Sequence, residues 1–282
     1  LVATAVKVAG WPALALPGWV RAREIARECL TQFSVQIYGI LFLHGDKLLL
    51  GSLVGLEAAG SYDIGSRLPA YVRLLSAKIV DPMLPAAARM GAGEGQDAAL
   101  DLLLARALAQ VAWLWAGGAA FLALFARPIL ELWLARVEPG PVLTLEVLAC
   151  AYGFHSLGIG LWYYWAGRGA AGLNLRYVTL GSVLWVVCGI AGARTAGLTG
   201  VLAGFAVSAA LSTVYFLVAS LARLSPAIRQ SLAGASLRAL ASAALAGAAG
   251  RWAAAAHPLA GLVTFGAVYL GGYLANHPRA GD

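Results

Sequence analysis

The chain has 282 residues, of which 61% are hydrophobic and only 12% are charged. Soluble domains carry about 25% charged residues, so this composition excludes a soluble globular protein and indicates one that crosses a membrane several times. The formal net charge is +7, but the basic residues are scattered between apolar segments. Such scatter is typical of membrane topology signals and not of a nucleic-acid-binding patch.

The first thirty residues are predicted to lie outside the main membrane domain. Residues 1–16 are apolar but interrupted by Lys7 and Pro12, and they are short for a span of about 20 residues. We interpret them as the remnant of a preceding transmembrane helix, and the chain as a fragment of a longer protein. Residues 17–30 alternate arginine with glutamate and predict a cytoplasmic interfacial helix, with a solvated linker as the alternative.

Apolar stretches of membrane-spanning length, separated by charged residues or by Gly and Pro, predict about eight transmembrane helices. The fold class is therefore an all-α, polytopic membrane helix bundle that occupies residues 31–276, followed by a cytoplasmic tail at 277–282. Within the second span we expect one long helix from Tyr62 to Met90. The spans are approximately 31–53, 61–88, 105–126, 141–166, 173–192, 197–221, 232–250 and 258–275.

The arginines in the connections predict the orientation. The side that holds residues 17–30 collects eleven of them, whereas the opposite side collects four: Arg127, Arg136, Arg194 and Arg251. Because connections rich in Lys and Arg stay in the cytoplasm, we expect both ends of the chain to be cytoplasmic.

The second span carries ionisable residues that are costly at membrane depth, about 2.5–3.5 kcal/mol each. At helical spacing, Arg67, Tyr71, Lys78 and Asp81 share one polar stripe, roughly 20 Å long. Lipid cannot face such a stripe, so we expect it to line an aqueous cavity. The alternative is internal pairing, of Asp63 with Arg67 and of Lys78 with Asp81.

The first span predicts a second polar stripe that faces the same cavity. On a helix, Gln32 and Lys47 each lie within about 40° of Gln36. Asp46 points elsewhere, as a partner for Lys47 or as a cation site. Arg73 projects about 120° from the Arg67 face and is expected to pair with another helix. His44 and His155 are expected to be hydrogen-bonded core residues, with proton coupling as the alternative.

Residues 45–90 resemble the polysaccharide-exporting flippases of the multidrug/oligosaccharidyl-lipid/polysaccharide transporter superfamily. The pattern comprises an acidic–basic pair late in one helix, a Gly-containing turn, a Tyr, a basic residue followed by Leu, and a late Pro. The stretch GRGAAGLNLRY, 167–177, resembles a cytoplasmic loop of the same family. The matching residues are Asp46, Lys47, Gly60, Tyr62, Arg67, Leu68 and Pro85.

The resemblance implies the C-terminal lobe of a two-lobed transporter in the cell inner membrane. Its cargo would be a lipid-linked anionic oligosaccharide, such as an O-antigen precursor, moved by alternating access. In lipid II flippases the Arg of Tyr-x-x-x-Arg-Leu lines the central cavity; here Tyr62 stands one residue farther from Arg67. The cavity candidates are Arg67, Lys78, Lys47, Tyr71 and Gln36, with Asp46, Asp63 and Asp81 as coupling or ion-pairing acids.

Two other functions remain open. A cation-coupled multidrug exporter of the same superfamily would need acidic cavity residues, and a membrane glycosyltransferase or polymerase would need a larger extramembrane loop. We expect no enzyme, cofactor or metal site, because phosphate-loop, zinc-pair and nucleophile-elbow motifs are absent and the three cysteines are far apart. The expected partners are the lipid-linked oligosaccharide, membrane lipids and a missing N-terminal lobe, with no nucleic acid; without that lobe, transport is not expected.

Overall fold

The computed structural model describes residues 19–90, 97–134, 136–168 and 170–276, and these ranges are helical with short connections and no β-strand. The all-α prediction is therefore confirmed for this part of the chain. The predicted remnant at 1–16 and the tail at 277–282 lie outside it. The helices are α1 (Trp19–Leu53), α2 (Leu56–Val80), α3 (Met83–Met90), α4 (Asp97–Leu124), α5 (Ala126–Trp133), α6 (Pro139–Gly167), α7 (Ala171–Leu221), α8 (Pro226–Ala254) and α9 (Pro258–Asn276).

The chain divides into two compact units at residue 37. Of the first unit, the structure describes residues 19–37, which are helical. The helix continues without a break across the predicted boundary between residues 30 and 31. The second unit comprises Tyr38–Asp282 and contains α2 to α9.

Among the described residues, five helical segments are long and apolar enough to cross a membrane, which supports a multi-pass membrane protein. They are Ala99–Leu124, Pro139–Gly167, Gly172–Leu221, Ile228–Ala254 and Pro258–Asn276. α2 is not among them, because it carries five ionisable side chains (Glu57, Asp63, Arg67, Arg73 and Lys78) in its 25 residues. The predicted total of eight spans thus stays a prediction.

α7 is a helical hairpin and not one straight helix. Its 51 residues would extend about 77 Å at 1.5 Å per residue, far beyond a hydrocarbon core of about 30 Å. The backbone leaves helical geometry at Ala196 and at Gly197, where φ is 58°. A Cβ on Gly192 would collide with the backbone of Gly200, so the two arms lie in direct contact. They overlap the predicted spans 173–192 and 197–221.

The prediction of one helix from Tyr62 to Met90 is wrong. α2 ends at Val80, a turn follows at Asp81 and Pro82, and α3 begins at Met83. Pro82 has no amide hydrogen to donate to the preceding turn, and its ring clashes with the carbonyl one turn back. Asp81 consequently lies at a helix end.

The second unit is built around α6, which packs against α2, α4 and α7. One buried core joins α4, α6 and the second arm of α7, with Leu108, Leu161 and Phe216 at its centre. Another joins α2, α6 and α7, where Tyr152 and Phe205 meet edge to face. α8 packs against α4 and α9. On the α1–α2 pair, the side chains of Leu48, Arg67 and Tyr71 remain exposed.

Candidate functional site

A three-residue charged cluster joins α1 to α2. The chain reverses direction at Gly55, whose φ of 133° favours glycine, and the two helices run back alongside each other. Lys47 and Asp63 each lie eight residues from Gly55 and therefore meet. Asp63 accepts a hydrogen bond from Lys47 Nζ through Oδ1. Through Oδ2 it accepts from Arg67 Nη2 at 2.7 Å and Nε at 3.3 Å.

The cluster carries a net charge of +1, because one carboxylate faces two cations. All three side chains are partly accessible, and the side chain of Arg67 is 57% exposed. The Arg67 guanidinium also lies 6.0 Å from the centre of the Trp133 ring, on α5. The Asp63–Arg67 pair, which was the alternative to a cavity role, is thus present, but Lys47 joins it and the cluster remains accessible.

Asp46 is fully buried, although it directly precedes Lys47 in the chain. Its Oδ2 accepts a hydrogen bond from Tyr62 Oη at 2.5 Å, and its Oδ1 accepts one from Trp185 Nε1 at 2.5 Å. Successive helical residues point about 100° apart, so Asp46 faces inward while Lys47 faces Asp63. Of the two roles expected for Asp46, a partner for Lys47 or a cation site, the first is not observed, because Lys47 pairs with Asp63.

Lys78 does not join the charged cluster. Its Nζ lies 2.8 Å from Asp81 Oδ2, and its side chain is 68% exposed. Eleven residues separate it from Arg67, which corresponds to about 16 Å along a helix. Tyr71 lies between them with 62% of its surface exposed. The stripe predicted on α2 thus lies on an accessible face, but the Lys78 charge is neutralised locally.

The side chains of Gln32 and Gln36 lie outside the described residues. The predicted second polar stripe is therefore described only at Lys47. His155 lies 2.7 Å from the Tyr177 hydroxyl and 3.5 Å from that of Thr213, as expected for a hydrogen-bonded core histidine.

Sequence analysis missed the surroundings of Arg73. Its guanidinium lies 5.9 Å from the centre of the Tyr152 ring on α6, and within the described part of the chain it forms no ion pair. The buried Nε has no hydrogen-bond partner among the described residues. The expected pairing with another helix is thus a cation–π contact. An aromatic partner on another helix leaves no local signal in the sequence.

The interior polar groups form a chain between opposite charges. Tyr62 donates to Asp46 and is also hydrogen-bonded to Tyr152, which faces Arg73. The buried Asp46 and the half-buried Arg73 are thus linked through two tyrosines. No three potential metal-ligating side chains come together in the described ranges.

The helices define a multi-pass membrane protein, and the α1–α2 pair gives it an accessible face with a net basic cluster. Comparisons with known protein families, with curated proteins and with solved structures find no match to this chain. The class of protein therefore follows from the helices alone.

Proposed function

We propose that this chain is one lobe of a flippase that moves a polyprenyl-diphosphate-linked oligosaccharide across the cytoplasmic membrane. The observation that carries the proposal is the accessible Lys47–Asp63–Arg67 cluster with its net positive charge. In this proposal all eight predicted spans cross the membrane, with both ends of the chain in the cytoplasm. A partner lobe supplies the opposite wall of the central cavity.

The cluster has the chemistry that a diphosphate head group needs. A guanidinium donates paired hydrogen bonds to phosphate oxygens, and such charge-assisted bonds are about twice as strong as neutral ones. Arg67 offers this surface because more than half of its side chain is exposed. We expect it to make the first contact with the head group.

Asp63 serves to moderate the attraction. Lys47 and Arg67 without an acid would present two positive charges and hold an anion tightly, whereas a transporter must also release its cargo. With Asp63 between them, the site attracts an anion with a net charge of +1. The same carboxylate positions the Arg67 guanidinium through two hydrogen bonds.

A cation-coupled drug exporter is the second candidate, and the buried acid Asp46 favours it. Both Asp46 oxygens, however, already accept hydrogen bonds from Tyr62 and Trp185. A drug cation would have to displace these donors in a core where Asp46 is 0% exposed. The accessible cluster, by contrast, is basic, and it suits an anionic cargo.

The first test measures surface glycan in cells that depend on the full gene product. Arg67→Gln should lower surface glycan about tenfold or more, because a hydrogen bond to a charged group contributes about 1.5–3 kcal/mol. Lys78→Gln should have a smaller effect, since Asp81 already neutralises Lys78. Arg127→Gln is the matched control, because it removes an exposed arginine from the Arg127–Glu131 pair elsewhere. Wild-type glycan in Arg67→Gln cells, at equal amounts of membrane protein, would contradict the proposal.

A further inference from the structure

A groove with a volume of about 490 Å³ lies between α4 and α8, over Cys150 of α6. Its walls are mostly alanine and glycine, including Ala119 and Ala123 on α4 and Ala244 and Gly247 on α8. Because these side chains end at or before Cβ, the space between the helices stays open. The volume falls within the range of about 300–1,000 Å³ that is typical of ligand sites.

The groove has the length and position of one lipid leaflet. On α8 its lining extends from Leu240 to Arg251, eleven residues or about 16 Å. This is half of a hydrocarbon core of about 30 Å. Arg251 lies three residues before the end of α8 at Ala254, and the adjacent Trp252 is 83% exposed. Exposed tryptophans are enriched at the membrane surface, so we place the Arg251 end of the groove there.

The charge at this end selects the head group. Among the described residues, Arg251 is the only charged one that lines the α4–α8 groove, and it forms no ion pair with any of them. A neighbouring hollow of about 540 Å³, between α4, α6 and the second arm of α7, contains Glu146 instead. A negatively charged ligand group is therefore attracted to the α4–α8 groove, which ends at Arg251, and repelled from the hollow that contains Glu146.

We propose that the α4–α8 groove binds an anionic glycerophospholipid, independently of the cargo that the protein carries. The lipid phosphate contacts the Arg251 guanidinium, and one acyl chain lies along the alanine face towards the middle of the membrane. The apolar walls provide contact for the chain, and the arginine provides the preference for negative charge.

The proposal is tested by native mass spectrometry of the whole chain, released from nanodiscs that contain equal amounts of phosphatidylglycerol and phosphatidylcholine. The wild-type chain should retain phosphatidylglycerol about fivefold better, the effect expected for one basic residue near a membrane surface. Arg251→Gln should abolish this preference, and Arg251→Lys should restore most of it. Arg238→Gln, which changes another exposed arginine of α8 outside the groove, should behave like the wild type.

Filling the groove gives a second, independent test. Ala244 is exposed and lines the groove, whereas Ala241, one turn earlier, is exposed but does not. Ala244→Leu should therefore lower retention of both lipids, and Ala241→Leu should leave it unchanged. Equal retention of the two lipids by the wild type, or full phosphatidylglycerol preference in Arg251→Gln, would overturn the proposal. Thermal unfolding of each variant establishes that the compared chains are folded.

Discussion

Asp63 and Asp46 are two carboxylates with different surroundings and different roles. Both carboxylates lie between α1 and α2, but Asp63 is accessible and binds two cations, whereas Asp46 is buried and accepts from two neutral donors. The difference follows from the direction in which each side chain leaves its helix. The accessible acid can tune the binding of a ligand, and the buried acid holds helices together.

The Asp46 contacts should contribute to stability. Trp185→Phe keeps an aromatic ring but replaces the larger indole, and so removes the N–H that donates to Asp46 Oδ1. Leaving a buried charged acceptor without this donor costs about 1–3 kcal/mol or more. We expect a clear loss of thermal stability in nanodiscs, whereas Trp252→Phe, at a largely exposed position, should change little. Equal stability of the two variants would show that the Trp185–Asp46 hydrogen bond does not hold α1 to α7.

Single-sequence analysis predicted contacts within a helix better than contacts between helices. The Asp63–Arg67 and Lys78–Asp81 pairs, which helical spacing offered as the alternative to a cavity stripe, are present. The hydrogen bond between Trp185 and Asp46 joins residues 139 positions apart, and no local pattern indicates it. Gly45 lies at this contact, since a Cβ there would collide with the Trp185 ring. A glycine in the sequence, however, does not indicate which residue packs against it.

At the scale of elements, hydropathy predicted the two arms of α7 because Arg194 and Gly197 separate two apolar stretches. The same method missed the break after α2, where the apolar stretch continues through Pro82. Hydropathy reports burial in lipid, whereas the break coincides with Pro82, which has no amide hydrogen. Pro69 has none either, but it lies inside α2 without ending that helix. Turn chemistry, more than hydropathy, therefore decides where these helices end.

The α7 hairpin should depend on glycine at its point of closest approach. Gly200→Val would drive a branched side chain into the backbone of Gly192, and overpacking of this kind costs about 1–3 kcal/mol. We expect a lower midpoint of thermal unfolding in nanodiscs. Gly266→Val on α9 is the control, because nothing lies within 4 Å of a Cβ at that position. Equal unfolding midpoints for the two variants would show that the Gly192–Gly200 contact does not stabilise the hairpin.

At the scale of the whole molecule, the eight predicted crossings would place both ends of the chain on the same side of the membrane. Reporter fusions test this arrangement. A fluorescent protein that folds only in the cytoplasm should fluoresce when fused after Ser225 or Asn276. It should stay dark after Glu138 or His257, where a periplasmic phosphatase should be active instead. Fluorescence after all four residues would contradict eight spans.

In the proposed function, the accessible basic face of α1 and α2 belongs to a larger assembly. A polar surface at membrane depth must meet water or polar groups. In the proposed flippase, this face lines the passage between two lobes. In that proposed flippase, the charge of the Lys47–Asp63–Arg67 cluster decides which cargo the passage accepts.

The most direct measurement is equilibrium binding of a labelled polyprenyl-diphosphate oligosaccharide to the chain in nanodiscs of zwitterionic lipid. Asp63→Asn raises the net charge of the cluster from +1 to +2. It should increase affinity about fivefold, or roughly 1 kcal/mol for one partly exposed charge, and the gain should shrink at high salt. Unchanged or weaker binding by Asp63→Asn, with a cationic amphiphile preferred over the diphosphate lipid, would contradict the account.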